Sequence, residues 1–201
     1  MPEIVHLRTT LRLTLLAHRE WALAVAPGDW AWDATAGNGH DTAFLAAKVG
    51  PVGQVWACDI QSAALTQARA RLDRIPDSAP VEWRQASHAD VGKALAGEYA
   101  GRIAVVVFNL GFLPGGENPG LVTIPGETVL AIEAARQLLK PGGLLSVLAY
   151  RGHCGGPEEA TSVAENLRSW TNGQAECWKG LGAPESAPAL FLWRAPCPAQ
   201  R

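Results

Sequence analysis

The sequence predicts an α/β fold, a mostly parallel sheet with helices on both faces. Two observations carry this. Short apolar runs alternate with helix-like runs from Trp30 to Trp170, as β–α–β units require. The first apolar run, Trp30 to Asp33, opens straight into the glycine-rich stretch Ala34 to Gly39, and the second ends in Asp59, 20 residues after Gly39. A parallel sheet binds ligands at such strand ends. The length of 201 residues and a hydrophobic content of 48% suit one domain spanning 1–201, with residues 1–28 as an N-terminal helical segment.

The elements follow in order. Thr10 to Val25 carries Leu11, Leu15, Leu16, Trp21, Leu23 and Val25, a helical stripe stopped by Pro27-Gly28. Trp30 to Asp33 is a short buried strand, and Gly39 to Val49 a helix with Phe44 and Leu45 toward the core. Gln54 to Asp59 is the second strand. Ser62 to Leu72 is a helix that Ser62 can cap. Pro80 to Gln85 is a weaker strand and His88 to Leu95 a short helix. Ile103 to Phe108 is the clearest strand, a wholly apolar run with four β-branched residues. Thr128 to Leu139 is a helix ended by Lys140-Pro141-Gly142-Gly143, and Leu144 to Tyr150 the next strand. Glu158 to Trp170 is a helix, and Ala175 to Lys179 and Ala189 to Arg194 are two closing strands without a clear helix between them.

Charge and composition exclude several classes. A net charge of −2 argues against wrapping long nucleic acid but leaves a compact RNA element open. No apolar run approaches the roughly 20 residues of a membrane span. Met1-Pro2-Glu3 does not open a signal peptide. Cys58, Cys154, Cys177 and Cys197 form no C-x-x-C pair, so a reducing cytoplasm is expected rather than a disulfide or zinc framework. The histidines are scattered without ligand spacing, and no metal site is expected. A homodimer stays open.

The stretch Asp33-Ala34-Thr35-Ala36-Gly37-Asn38-Gly39-His40-Asp41 is the first candidate site. Gly37 and Gly39 permit a sharp turn and close approach of a ligand. Asp59 has the spacing of a carboxylate that takes ribose hydroxyls. A dinucleotide site needs G-x-G-x-x-G and a helix N-terminus free for pyrophosphate. Here the third glycine is missing and Asp41 opens the helix, where it repels phosphate. S-adenosylmethionine, a sulfonium with an amino group and no phosphate, suits the stretch better than NAD, and Asp33 can take its ammonium directly or through water. At the end of the third strand, Ser87 or His88 can meet the adenine edge, or serve only as a helix cap and a surface histidine.

Phe108-Asn109-Leu110-Gly111-Phe112 ends the clearest strand. Methyl transfer is an in-line displacement, so the protein mainly aligns the reactants. An amine nucleophile needs acceptors for its N–H groups, which Asn109 Oδ1 and the Leu110 carbonyl can supply. Phe112 can stack on a flat base. The stretch resembles the Asp/Asn-Pro-Pro-Phe/Tyr motif of amino-group methyltransferases, with Leu110-Gly111 in place of Pro-Pro. No cysteine stands on this loop for covalent pyrimidine chemistry. Leu113 to Gly120 reads as an active-site loop or lid. After the fifth strand, His153 reads as a base toward an ammonium, as a phosphate holder or as packing, and Arg151 as a phosphate contact. His18 and Arg19 lie on the N-terminal helix, a segment that can close over the cofactor, but the reading favoured for His18 is a histidine on the helix surface.

D-A-T-A-G-N-G-H-D-T, C-D-I-Q, F-N-L-G-F-L-P-G-G and Y-R-G-H-C-G-G together resemble one family, in order from about His18 to Arg194. It is the small class I methyltransferases first labelled rRNA methylases and now associated with methylating 5-aminomethyl-2-thiouridine at the tRNA wobble position. The resemblance implies a Rossmann-like class I methyltransferase sheet of seven strands with a reversed final strand. It implies S-adenosyl-L-methionine as cofactor and a tRNA anticodon stem-loop as partner. It also implies a cofactor site lined by Asn38, His40, Asp59, Gln61, Ser87 and His88, to which Thr35, Ile60 and Asn109 are added here. After P-G-G the family has an acidic residue and then lysine before a threonine; here Glu117-Asn118-Pro119-Gly120-Leu121-Val122-Thr123 has none. Another amine, on an rRNA base or a small metabolite, and a nucleotide-binding module without turnover are the alternatives.

Overall fold

The computed structural model describes residues 3–111, 122–170 and 172–197. Eight strands form one sheet: β1 (Val5–Thr9), β2 (Trp30–Asp33), β3 (Gln54–Asp59), β4 (Val81–Gln85), β5 (Ile103–Leu110), β6 (Leu139–Ala149), β7 (Gln174–Gly180) and β8 (Ala189–Arg194). Six helices connect them: α1 (Leu13–Ala24), α2 (His40–Val49), α3 (Ser62–Leu72), α4 (His88–Tyr99), α5 (Pro125–Leu138) and α6 (Gly156–Ser169). The sheet order is β1-β7-β8-β6-β5-β2-β3-β4. Among the described strands only β8 runs against its neighbours, so the expected reversed final strand is present.

Two expectations need correction. The sheet has eight strands rather than seven, because β1 pairs in parallel with β7 from Val5↔Glu176 to Thr9↔Gly180. Residues 1–28 are therefore not simply a helical segment. Val5–Thr9 is a short edge strand whose side chains are exposed or half-buried, so it leaves little hydrophobic pattern to read. Lys140-Pro141-Gly142-Gly143, expected as the turn after a helix, is absorbed into β6 as an irregular stretch. The ladder passes from Ile103↔Leu139 directly to Val105↔Leu144.

The apolar alternation of β5 explains both layers. Val106 and Phe108 point into the core beneath α4, α5 and α6, with Trp32, Trp56, Ile132 and Leu138. Val105 and Val107 point the other way, against Leu16 and Trp21 of α1 and Leu45 and Val49 of α2. A strand buried on both faces reads as a continuous apolar run. Full burial of a side chain such as Phe108 contributes about 1.5–3 kcal/mol. Its ring meets Trp32 edge-on at 5.7 Å.

The strand order turns at the β2–β5 pair, since β3 and β4 lie on one side and β6 on the other. The carboxyl ends of β2 and β5 therefore open a crevice. The turn after β2 ends at Gly39, whose φ is +78°. A Cβ there would stand 2.5 Å from the Ala68 Cα, so this glycine lets α2 and α3 touch. Gly39→Ala is expected to destabilise the fold by about 1–2 kcal/mol from the left-handed backbone and about 1–3 kcal/mol more from overpacking. Gly101, at φ +72° with nothing within 4 Å of its Cβ position, is the control. Denaturant melts showing equal losses for Gly39→Ala and Gly101→Ala would remove the packing argument.

Candidate functional site

The crevice holds a cavity of about 530 Å³. Thr35, Gly37 and Asn38 from the β2 loop line it, with His40 and Asp41 from the start of α2. Asp59, Ile60 and Gln61 come from the end of β3, Ser87 and His88 from the start of α4, and Asn109 and Leu110 from β5. Three expected residues stand elsewhere. Asp33 is fully buried and does not line the cavity. Gly39 packs on α3, and the His153 ring sits behind the Gly111 turn, its Nε2 3.5 Å from where a Gly111 Cβ would be. Neither lines the cavity. The His153 ring thus stands directly behind Gly111, which does line the cavity. Phe112 and the loop 113–120 lie outside the described residues.

Asp33 organises the loop from beneath. Its Oδ1 accepts the Thr35 N–H at 3.2 Å, and its Oδ2 accepts the Thr42 hydroxyl at 2.5 Å. Burial, aided by the charge of Asp41, pushes its carboxyl up to about 7. A direct contact between Asp33 and a ligand ammonium is thus replaced by a supporting role. Thr35 in turn crosses the crevice, its Oγ1 accepting the Asn109 backbone N–H at 2.7 Å.

Asp41 is held from two sides. His18 Nε2 lies 2.8 Å from Asp41 Oδ1, and Asn109 Nδ2 donates to Oδ2 at 3.3 Å. His18 is itself stacked on Phe44 at 4.3 Å. Because a carboxylate only accepts, Asn109 turns its amide nitrogen toward Asp41. Its Oδ1 has no hydrogen-bond partner among the described residues. The Leu110 carbonyl accepts the Tyr150 N–H at 3.2 Å and retains one lone pair.

The donor set decides between the cofactor classes. Asp59 Oδ2 accepts the Gly37 N–H and Oδ1 the Gln61 N–H, both at 2.9 Å. The Gly39 N–H is bonded to the Ala36 carbonyl at 2.8 Å. The Gly37 and Gly39 amides are thus engaged within the protein, and Asp41 adds a negative charge to the first turn of α2, where a diphosphate would sit. Each Asp59 oxygen still has a free lone pair for a ribose hydroxyl. The cavity fits a cationic nucleoside without phosphate.

Ser87 caps α4, accepting the Asp90 N–H and donating to Asp90 Oδ2, each at 3.1 Å. Burial lowers the His88 pKa to about 4, so its ring is neutral. It approaches the Thr128 hydroxyl at 3.5 Å. Sequence reasoning missed Tyr150, Thr123 and Glu127 as lining residues, and Glu159 behind them. Glu159, 1% exposed, accepts the Thr123 and Thr128 hydroxyls at 2.6 Å each, and Thr123 Oγ1 accepts the Gly111 N–H at 3.2 Å. The repeated hydroxyls at Thr123 and Thr128 were the available signal. Burial, with the Asp41 charge behind it, raises the Tyr150 phenol above its usual range and keeps it neutral. Among the described residues no group of three or more His, Cys, Asp or Glu is placed to hold a metal ion.

Residues 55–193 match the model of a family described as "Putative rRNA methylase". An Arabidopsis thaliana tRNA (mnm(5)s(2)U34)-methyltransferase, chloroplastic, is 39% identical over 160 residues. That match covers 76% of this chain, which spans only 57% of the relative's length. A Clostridium thermocellum structure described as an rRNA methylase superposes with a TM-score of 0.83 at 30% identity, covering 92% of this chain and 98% of that one. A Streptococcus mutans structure in complex with SAH superposes with a TM-score of 0.78 at 25% identity, covering 92% and 99%.

The raised Asp33 pKa has a consequence for stability. The folded state holds this proton more tightly than the unfolded chain, whose carboxyl titrates near 3.8. Stability therefore falls as pH rises between about 4 and about 7. Asp33→Asn keeps both hydrogen-bond positions without the charge. Its Tm advantage over the wild type should widen by roughly 3–8 °C from pH 5 to pH 8. A difference independent of pH, measured by thermal melts, would show that Asp33 is ionised throughout.

Proposed function

The chain belongs to the rRNA-methylase family of class I methyltransferases, and we propose that it methylates an amine of RNA, the aminomethyl group of 5-aminomethyl-2-thiouridine at a tRNA wobble position. The carrying observation is the Asp41–Asn109 pair. It leaves a fixed amide oxygen at the end of β5, inside an acidic cavity. S-adenosylmethionine, when bound, supplies a methyl group on a positively charged sulfur.

The residues of this chain divide the work. Asp59 offers both oxygens to the ribose hydroxyls, while the Gly37 and Gln61 amides hold its carboxylate in place. Asp41 gives the crevice the negative charge that a sulfonium and an ammonium both favour. Neutral His88 and the Ser87 backbone flank the adenine end. Asn109 Oδ1 and the second lone pair of the Leu110 carbonyl accept N–H groups of the incoming amine. These bonds turn its lone pair toward the methyl group, which is the alignment an in-line displacement requires. The neutral Tyr150 phenol sits at the cavity wall, where it can donate to a base edge or stack on it. Asp41 also stabilises the amine as ammonium, so deprotonation before attack becomes part of the barrier.

The test is methyl transfer from labelled cofactor to undermodified tRNA and, in parallel, to free amines, read by nucleoside mass spectrometry. Methylation of the wobble aminomethyl group is expected; transfer only to free amines would move the substrate to a small metabolite. Asn109→Ala should lower turnover by ~10²-fold or more, with cofactor affinity retained, because the residue acts on the nucleophile. Unchanged turnover in that variant would end the role given to Asn109.

A further inference from the structure

Outside the cavity, positive charge gathers along the carboxyl ends of β6, β7 and β1. Arg151 follows Tyr150, a cavity residue, at the end of β6. Lys179 stands near the end of β7, and Arg8 is its register partner on β1. Arg168 of α6 and both of these β6–β7 cations place their charge near Cys177. One carboxylate answers them. Lys179 Nζ and Arg151 Nη1 both donate to Glu185 Oε1, at 2.7 and 2.8 Å.

The pairing is lopsided. The Lys179 and Arg151 side chains are 11% and 18% exposed, whereas Glu185 is 76% exposed. The Arg151 Nε–H is buried and, among the described residues, has no hydrogen-bond partner. In an ordinary surface ion pair both partners are loose. Here the cations are largely covered, Lys179 within β7 and Arg151 just beyond β6, and the exposed anion reaches in from the β7–β8 connection. Glu185 uses one oxygen for both donors. A phosphate, with several charged oxygens, can give Nζ and Nη1 an acceptor each, and guanidinium suits such contacts.

We propose that Arg151 and Lys179 form a site for a backbone phosphate of an RNA substrate, with Glu185 occupying it until RNA docks. This deepens the reading of the cavity and rests on RNA being the substrate. The chain sorts its charges in the manner such a substrate needs. Asp41, Asp59 and Glu127 line the cavity, which takes a cationic base substituent. Arg151 begins the basic edge one residue beyond Tyr150, where the backbone of a nucleotide seated in the cavity would run. A small amine would have no use for that edge.

The test is fluorescence anisotropy of an unmodified anticodon stem-loop RNA on the full chain, between 50 and 200 mM salt, without cofactor. Arg151→Gln and Lys179→Gln should each raise Kd about three- to tenfold and reduce the salt slope by about 0.7–0.9. Glu185→Gln should tighten binding about two- to fivefold. Lys179 is largely covered, so each variant is first melted; the exposed Glu185 variant reads the site in the opposite direction even if Lys179→Gln unfolds. Unaltered affinity and slope in Arg151→Gln, or weaker binding in Glu185→Gln, would overturn the proposal, the latter marking a purely structural ion pair. Absence of RNA binding by the wild type would also overturn it, while methyl transfer to free amines would then decide the cavity reading separately.

Discussion

One carboxylate, Asp41, holds the crevice together. It stands at the first turn of α2 and is gripped by His18 from α1 and by Asn109 from β5. Three elements that are far apart in the chain therefore meet on two oxygen atoms. Because each contact is to a charged acceptor, each is stronger than a neutral hydrogen bond. The orientation of the Asn109 amide follows from this charge, and so does the exclusion of a diphosphate from the α2 N-terminus. His18 is held in turn by the Phe44 and Trp21 rings. The aromatic packing of α1 against α2 thus sets the geometry of a polar site several side chains away.

A second carboxylate works out of sight. Asp33 lies under the loop, tied to Thr35 and Thr42, and Thr35 reaches across to the Asn109 backbone. Glu159 has a parallel task on the other side, joining Thr123 and Thr128 to the Gly111 turn. Buried acids with full sets of donors make a rigid rim, since moving any one residue leaves a charged or polar group unpaired. The cavity is accordingly stiff at its base, where a cofactor would lie.

Much of this was legible in the sequence because it rests on periodicity and strand-end chemistry. The continuous apolar run Ile103 to Phe108, the glycines after Asp33 and the spacing to Asp59 point to the sheet, the crevice and most of its lining. Asp33 was misplaced because a strand-end acid can point up into the crevice or down beneath the loop, and only the nearby Thr42 hydroxyl decides which. His153 was misplaced because the Gly152 to Gly156 turn folds the ring back on Gly111. Glu159 was missed because an acid in the first turn of a helix ordinarily faces solvent, and its burial depends on two threonines from another segment. The β1 strand escaped notice because its partner, β7, lies about 170 residues along the chain.

That distant pairing governs how the molecule comes together. β7 and β1 are attached to the remaining strands only through β8, which is wedged antiparallel between β6 and β7. Every strand-to-strand path from the amino-terminal strand to the crevice passes through that single wedge. Contacts so far apart in sequence form slowly, after the local ones. The half of the sheet that carries the crevice can thus assemble first, while the basic edge waits for β8 to be seated and is the later of the two to mature.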